Sequence, residues 1–167
     1  NNLKLFAAMI QNARCRISIT SPYYVPDETI QMALVTAGSR GLDVELFVSE
    51  IGDQFMVFHA QRSYYEQLLR AGVKIYLYRA PTILHAKHLS IDDDVAVIGS
   101  SNLDIRSLSL HMELSVLVHG AGFTSAMRAV EDDYRSKSRQ VVLSEWLKRP
   151  RREKVFDNLM RLTSSLQ

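Results

Sequence analysis

A chain of 167 residues, 47% hydrophobic and 23% charged, has the make-up of one soluble globular domain long enough to bury roughly 70% of its unfolded surface. Its 7 Gly and 4 Pro exclude collagen-like and low-complexity readings, and its single cysteine, Cys15, excludes an internal disulfide, so a reducing compartment is the default. The formal net charge is only +2, yet residues 148–154 hold five basic residues and one acid, a local surplus that suits a solvated face or attraction to anionic lipid or nucleic acid.

Leu3, Phe6, Ala7 and Ile10 fit a helical stripe, and residues 16–20 then alternate as a strand does. Asp27, after Val25-Pro26, can cap a second helix carrying Ile30, Ala33, Leu34 and Ala37 and ending near Gly41. Residues 43–48 read as strand. The run 54–71 is helical by the spacing of Phe58, Tyr65, Leu68 and Leu69, closes at Gly72, and leads into a third strand over 73–78. Beyond Pro81 the pattern changes to three strand-like runs, 85–91, 95–101 and 112–118, with no helix expected between them. Helices resume with Phe123, Met127, Val130 and Tyr134, and again with Val155, Leu159, Leu162 and Leu166. Val95-Ala96-Val97-Ile98 is apolar at both parities, which predicts a strand buried on two faces. The fold class is therefore α/β, an α/β/α sandwich with a mixed parallel and antiparallel central sheet, in one domain over 1–167 without repeats or linkers.

Asp92-Asp93-Asp94-Val95 reads as a tight turn between two apolar strands. With Asp93 and Asp94 as a two-residue loop, Asp92 faces Val95, His85 falls opposite Asn102, and Lys87 falls opposite Ser100. Side chains two apart on a strand share a face, so an imidazole, an ammonium, a hydroxyl and a carboxamide meet at one place. A phosphodiester needs such a set. Attack on phosphorus loads negative charge onto nonbridging oxygens that Lys87, Ser100 and Asn102 can hold without a metal. His85 can attack, or protonate the departing ester oxygen. Glu113 is the carboxylate best placed in sequence to accept its Nδ1 proton and fix the tautomer. Spacing alone leaves a second reading open, in which these side chains line a solvated strand end and Asp92 is an ordinary turn residue.

His88 falls on the opposite parity and is read as packing. His59, His111 and His119 lack acid or cysteine partners at ligand spacing, so neither a metal nor another cofactor is expected. Arg106 and His111 are possible pocket-rim residues, while Tyr23 and Tyr24 fit either rim or core. The stripe Val155, Phe156, Leu159 and Leu162 is expected to face the core, and Trp146 beside it is no sign of a membrane anchor.

The spacing His85-Ala86-Lys87, Asp92, then Gly99-Ser100-Ser101-Asn102 resembles the phospholipase D superfamily, whose motif His-x-Lys-x4-Asp-x6-Gly-Ser-x-Asn is present at all six specified positions. Further segments are similar to the carboxy-terminal catalytic half of bacterial cardiolipin synthases: Ser21-Pro22-Tyr23-Tyr24-Val25-Pro26, Arg62-Ser63-Tyr64-Tyr65, Ala71-Gly72-Val73-Lys74-Ile75-Tyr76, Asn102-Leu103-Asp104, Arg106-Ser107-Leu108, and Trp146 near Arg149-Pro150. The likeness covers essentially all of the chain after about Arg16.

The resemblance implies exchange through a phosphohistidine, with the motif's roles falling on His85, Lys87, Ser100 and Asn102. It places Glu113 as the histidine-orienting carboxylate and Asp92 as a hydrogen-bonded structural member. As the likeness is to the second of two motifs, His85 would be the leaving-group acid. It further implies transfer between two molecules of phosphatidylglycerol, an anionic phospholipid, releasing glycerol. Water as acceptor would instead make a phospholipase or nuclease, and a degenerate member would be an inactive binding or dimerisation module. The basic run lies far from the motif, which disfavours nucleic acid. Such enzymes carry two motifs, whereas this chain carries one, so the other is expected from a missing amino-terminal half or from a second copy in a homodimer. The chain begins Asn1-Asn2 with no initiator methionine or signal-type start, which favours a piece of a longer protein. No apolar run approaches the roughly 18 residues of a spanning helix. The expected setting is a membrane surface, the bacterial inner membrane, with anchoring segments outside this chain and the fragment itself soluble.

Overall fold

A computed structural model describes residues 2–162. The first half alternates helix and strand: α1 (Asn2–Asn12), β1 (Arg16–Thr20), β2 (Tyr24–Val25), α2 (Glu28–Ser39), β3 (Asp43–Ser49), α3 (Phe55–Arg70) and β4 (Lys74–Tyr78). There follow β5 (His88–Ile91), β6 (Val95–Gly99), β7 (Leu103–Asp104), α4 (Ile105–Ser109), β8 (Ser115–His119), α5 (Ala121–Ser136), β9 (Ser138–Gln140), α6 (Leu143–Trp146) and α7 (Arg151–Arg161). Seven strands form one sheet in the order β8-β6-β5-β1-β3-β4-β9, while β2 and β7 form a separate parallel pair. Only β1, β3 and β4 run parallel in the large sheet; every other neighbour is antiparallel. The mixed α/β/α class expected from the sequence is the one observed.

Local chemistry sets the element ends. Asp27 caps α2 by accepting the Thr29 N–H at 2.8 Å, and α3 gives way to β4 at Gly72, whose φ of 91° suits a residue without a Cβ. One sheet face packs on α1, α2 and α3 through fully buried Ile10, Ile17, Leu34, Leu46, Leu68 and Ile75, each stabilising by roughly 1.5–3 kcal/mol. The α5 face is more polar. There Phe47 stacks on Tyr76 at 5.0 Å, buried Glu45 takes Arg16 and Arg135, and buried Glu131 takes Ser90 and Arg128.

Four expectations need correction. Val95–Ile98 is not buried on two faces: Ala96 and Val97 are, but Ile98 is exposed, because β8 is the sheet edge and Val116 and Leu117 on it are also exposed. The segment between β6 and β8 is not free of helix, since Asp104 accepts the Ser107 N–H at 2.7 Å and caps the five-residue α4. Strands β5 and β8 begin at His88 and Ser115, three residues later than read, so the motif histidine precedes its strand. Finally, Val155, Leu159 and Leu162 face solvent, because charged partners hold the inner face of α7 against α3: Asp157 bonds His59, Arg62 and Arg149. Leu166 lies outside the described residues.

Candidate active site

The motif rides on the β5–β6 hairpin, in which His88 opposes Ile98 and Ile91 opposes Val95. All three aspartates 92–94 therefore lie in the turn. The register is shifted by one residue from that of a two-residue loop, and Lys87 faces Gly99, whose N–H donates to the Lys87 carbonyl at 3.2 Å. The cause is Asp92, which sits in the left-handed region at φ 49°, a conformation Asp tolerates better than most residues. Its carboxylate accepts the backbone N–H groups of Arg14, Cys15 and Arg16 at 3.0, 2.8 and 2.8 Å.

Asp92 is thus at the far end of the hairpin from His85, and the structure does not bring it into the cluster of reactive groups. Burial pushes its pKa up, but the three N–H donors outweigh that and hold it below the usual carboxylate range. Because the folded pKa is depressed, the stabilisation is present above about pH 4 and is lost as pH falls through the folded value. Asp92→Asn is expected to cost about 2 kcal/mol at neutral pH. Urea unfolding at a series of pH values should show that gap shrinking toward acid.

At the other end, Lys87 Nζ lies 3.1 Å from His85 Nδ1 and donates to the His85 carbonyl at 2.8 Å. Burial draws the Lys87 pKa below the ordinary lysine value, while the carboxylates of Glu113 and Asp104 pull it back up. Ser100 Oγ donates to Glu113 Oε2, and the Leu114 N–H donates to Ser100 Oγ at 3.1 Å. Glu113 was expected to bond the His85 imidazole; its observed partner is Ser100, and the Nδ1 neighbour is Lys87. The shifted register explains this, since Gly99 lies opposite Ser115 and brings the 113–114 backbone onto Ser100. Gly99 permits that approach: a Cβ there would overlap the Leu114 carbonyl and lie 2.9 Å from Ser115 Cα.

Asn102 and Glu113 line a cavity of about 250 Å³, with Arg106 and His111 on its wall as rim residues and Tyr23 and Gln54 opposite. Tyr23 meets His85 edge to face at 6.4 Å, so the cavity adjoins the motif. The Asn102 Oδ1 is shielded and, among the described residues, has no hydrogen-bond partner. Tyr23 donates its hydroxyl to Asp53, and burial, reinforced by that carboxylate, raises its pKa. Tyr24 instead is core, fully buried and bonded to Gln31. Asp53, Gln54 and Asp104 were not read as site residues. The two-residue β2–β7 pair positions Asp104 and Tyr23, so short a pair leaves no periodic signal, and Asp53 and Gln54, in the loop before α3, join the site through the Tyr23 hydroxyl.

His88 is buried against α5, with its ring 6.0 Å from Tyr134, and burial lowers its pKa to about 4. His59 bonds Asp157 at 2.8 Å, and His119 is exposed. Chemically, the cluster offers one imidazole with an open side, one ammonium, and a hydroxyl and carboxamide beside a polar cleft. Those groups can receive an anionic oxygen and exchange a proton with it.

The chain is similar to known proteins over nearly its whole length. The chain is 38% identical over 154 residues to cardiolipin synthase A of Klebsiella pneumoniae, covering 92% of this chain and 32% of that one. It is 37% identical over 157 residues to cardiolipin synthase A of Proteus mirabilis, covering 94% and 32%. The chain therefore spans about a third of the length of these curated relatives. Among solved structures, a phospholipase D family member, Nuc, from Salmonella typhimurium superposes with a TM-score of 0.72 at 21% identity, covering 83% of this chain and 89% of that one. Phosphatidylserine synthase from Haemophilus influenzae superposes with a TM-score of 0.77 at 15% identity, covering 98% and 42%. The family model described as "Cardiolipin synthase, PLD-like domain" matches residues 6–134, a span that takes in the hairpin, the Glu113 loop and both helical layers. With its mixed sheet and intact motif, the chain belongs to that cardiolipin synthase, phospholipase D-like family.

Proposed function

We propose that this chain is one catalytic half of a phosphatidyltransferase that joins two molecules of phosphatidylglycerol into cardiolipin and releases glycerol. The observation that carries the reading is the gathering of His85, Lys87, Ser100 and Asn102 beside one polar cleft in a chain of this family. Lys87, whose ammonium donates to the His85 carbonyl and lies beside the imidazole in the free site, turns to a phosphate oxygen by charge. A histidine from a second motif attacks phosphorus and forms a P–N bond, while His85 gives its proton to the departing glycerol oxygen. His85 then takes the proton of the acceptor hydroxyl, which attacks phosphorus as the P–N bond breaks.

One imidazole cannot serve as nucleophile and acid at once, so the site needs a second motif. Exposed Leu110, Met112, Leu114 and Val116 surround the Glu113 loop and offer the surface on which the other half, or a second copy, would close. The same unit makes up most of the Nuc chain and under half of the phosphatidylserine synthase chain, so this fold occurs both alone and within longer chains. The setting of that reaction would be the bacterial inner membrane; among the described residues no helix is long and apolar enough to cross a membrane.

The exposure of His85 favours a second reading, hydrolysis, in which water takes the acceptor's place. Labelled phosphatidylglycerol given to the assembled two-motif enzyme separates them. Labelled cardiolipin with free glycerol is the expected result; phosphatidic acid alone would make the enzyme a hydrolase.

A further inference from the structure

Helix α7 has two unlike faces. The inner one is fixed to α3 by Asp157, whose carboxylate lies 2.8 Å from His59 Nδ1 and 2.7 Å from Arg149 Nη1, and by the 3.2 Å pair of Arg62 with Glu153. The outer one presents Val155, Leu159 and Leu162 at 67%, 52% and 79% exposure. At 3.6 residues per turn these three fall within about 60° of arc, and Arg151 and Arg152 fall on its two edges near the helix start. Arg151, Arg152 and Lys148 are exposed and, among the described residues, pair with no carboxylate, whereas Arg62 and Arg149 are both engaged.

The apolar surface continues onto α3. Phe156 packs 5.9 Å from Phe55, and Phe55 and Met56 are exposed. Their neighbours Gln54 and Val57 line the cleft beside the motif. An apolar stripe edged by unpaired cations thus runs to the mouth of the site.

We propose that α7 and the start of α3 form a lipid-binding surface that lies in the headgroup layer of an anionic bilayer, with the exposed stripe in the acyl boundary and Arg151, Arg152 and Lys148 on lipid phosphates. This rests on the reading of the substrate as a phospholipid. Charge and pattern choose the occupant: a second copy pairing through this face would offer Arg151 and Arg152 no carboxylate, since Glu153 and Asp157 are held on the inner face, and a nucleic acid would leave the central apolar stripe uncovered. The stripe is carried by α7 and the start of α3, whereas Met112 and Leu114 are on the loop before β8, which leaves that loop for the second motif.

The test is flotation of the whole chain with vesicles of phosphatidylglycerol mixed with phosphatidylcholine, against phosphatidylcholine alone. Binding to the anionic vesicles, weakened by salt, is expected. Val155→Ser/Leu159→Ser and Arg151→Glu/Arg152→Glu should each lower that binding by about tenfold or more, while Met112→Ser/Leu114→Ser leaves it unchanged. Both α7 pairs alter exposed side chains, and if one disturbs folding in a thermal melt the other still decides. Undiminished binding by a folded variant, or equal binding to neutral vesicles, overturns the proposal. So does a change of sedimentation in the α7 variants with unchanged vesicle binding, which would make the face a protein interface. His85→Asn should bind like the unaltered chain, so failure of the proposed chemistry and failure of the lipid surface read out separately; loss of binding in that variant would place the lipid contact at the cleft instead.

Discussion

His85→Asn in the assembled two-motif enzyme is expected to lower cardiolipin formation by up to about 10⁴-fold, the upper end of what general acid–base assistance contributes. Asparagine keeps a polar group of similar reach and loses the exchangeable proton. The side chain is exposed, so the fold should be undisturbed, and an unchanged melting curve is the control. A phosphodiester with a good leaving group, such as a nitrophenyl ester, needs no protonation as the ester bond breaks. With that substrate the first step should recover most of its rate in His85→Asn. Intact mass after an acid-free quench should then show the phosphoryl adduct on the partner motif's histidine. An adduct on His85 itself would exchange the two roles, and unchanged turnover of phosphatidylglycerol would remove His85 from the reaction altogether.

Lys87→Ala is expected to cost roughly 10²–10³-fold, the scale seen when one preorganised donor to a developing oxyanion is deleted. The loss should fall on kcat as well as on kcat/KM, because the ammonium gains most where the phosphoryl oxygens carry most charge. The pH profile gives an independent check. Burial depresses the Lys87 pKa, against the pull of Glu113 and Asp104, so the charged form is lost sooner on the alkaline side than from an ordinary lysine. Activity that depends on Lys87 should therefore fall at a lower pH than 10.5 as the solution is made basic. Lys87→Arg, whose charge persists at any accessible pH, should flatten that limb even where its rate is low. An alkaline limb that stays put in the arginine variant would assign it to another group.

How much of this was legible in the sequence follows from where the information resides. Helices α1, α2 and α3 and strands β1, β3 and β4 declare themselves because each buries a periodic apolar set, and periodicity is a one-dimensional signal; α5 is equally periodic, although its Phe123, Met127 and Tyr134 are only half-buried. The identity of the motif residues is likewise linear. Register is not: it turned on whether Asp92 belongs to the strand or the loop, and its three N–H partners, 76 to 78 residues away, settle that. The partner of Glu113 followed the same slip, going to Ser100 instead of His85. The inversion of α7 has a similar origin. Hydropathy ranks Val155, Leu159 and Leu162 as the inward face, but Asp157 has three basic partners waiting on and beside α3, and complementary charge decided which side packs. Two-residue strands such as β2 and β7 leave no pattern to detect, although they place Tyr23 beside His85.

The grip of Asp92 on residues 14–16 limits how this chemistry can be moved between scaffolds. Grafting only the segment 85–102 onto a foreign sheet would strand a charged carboxylate whose three donors stayed behind, and the loop would have no reason to keep its left-handed bend. A transplant has to bring the amides that precede the first strand as well.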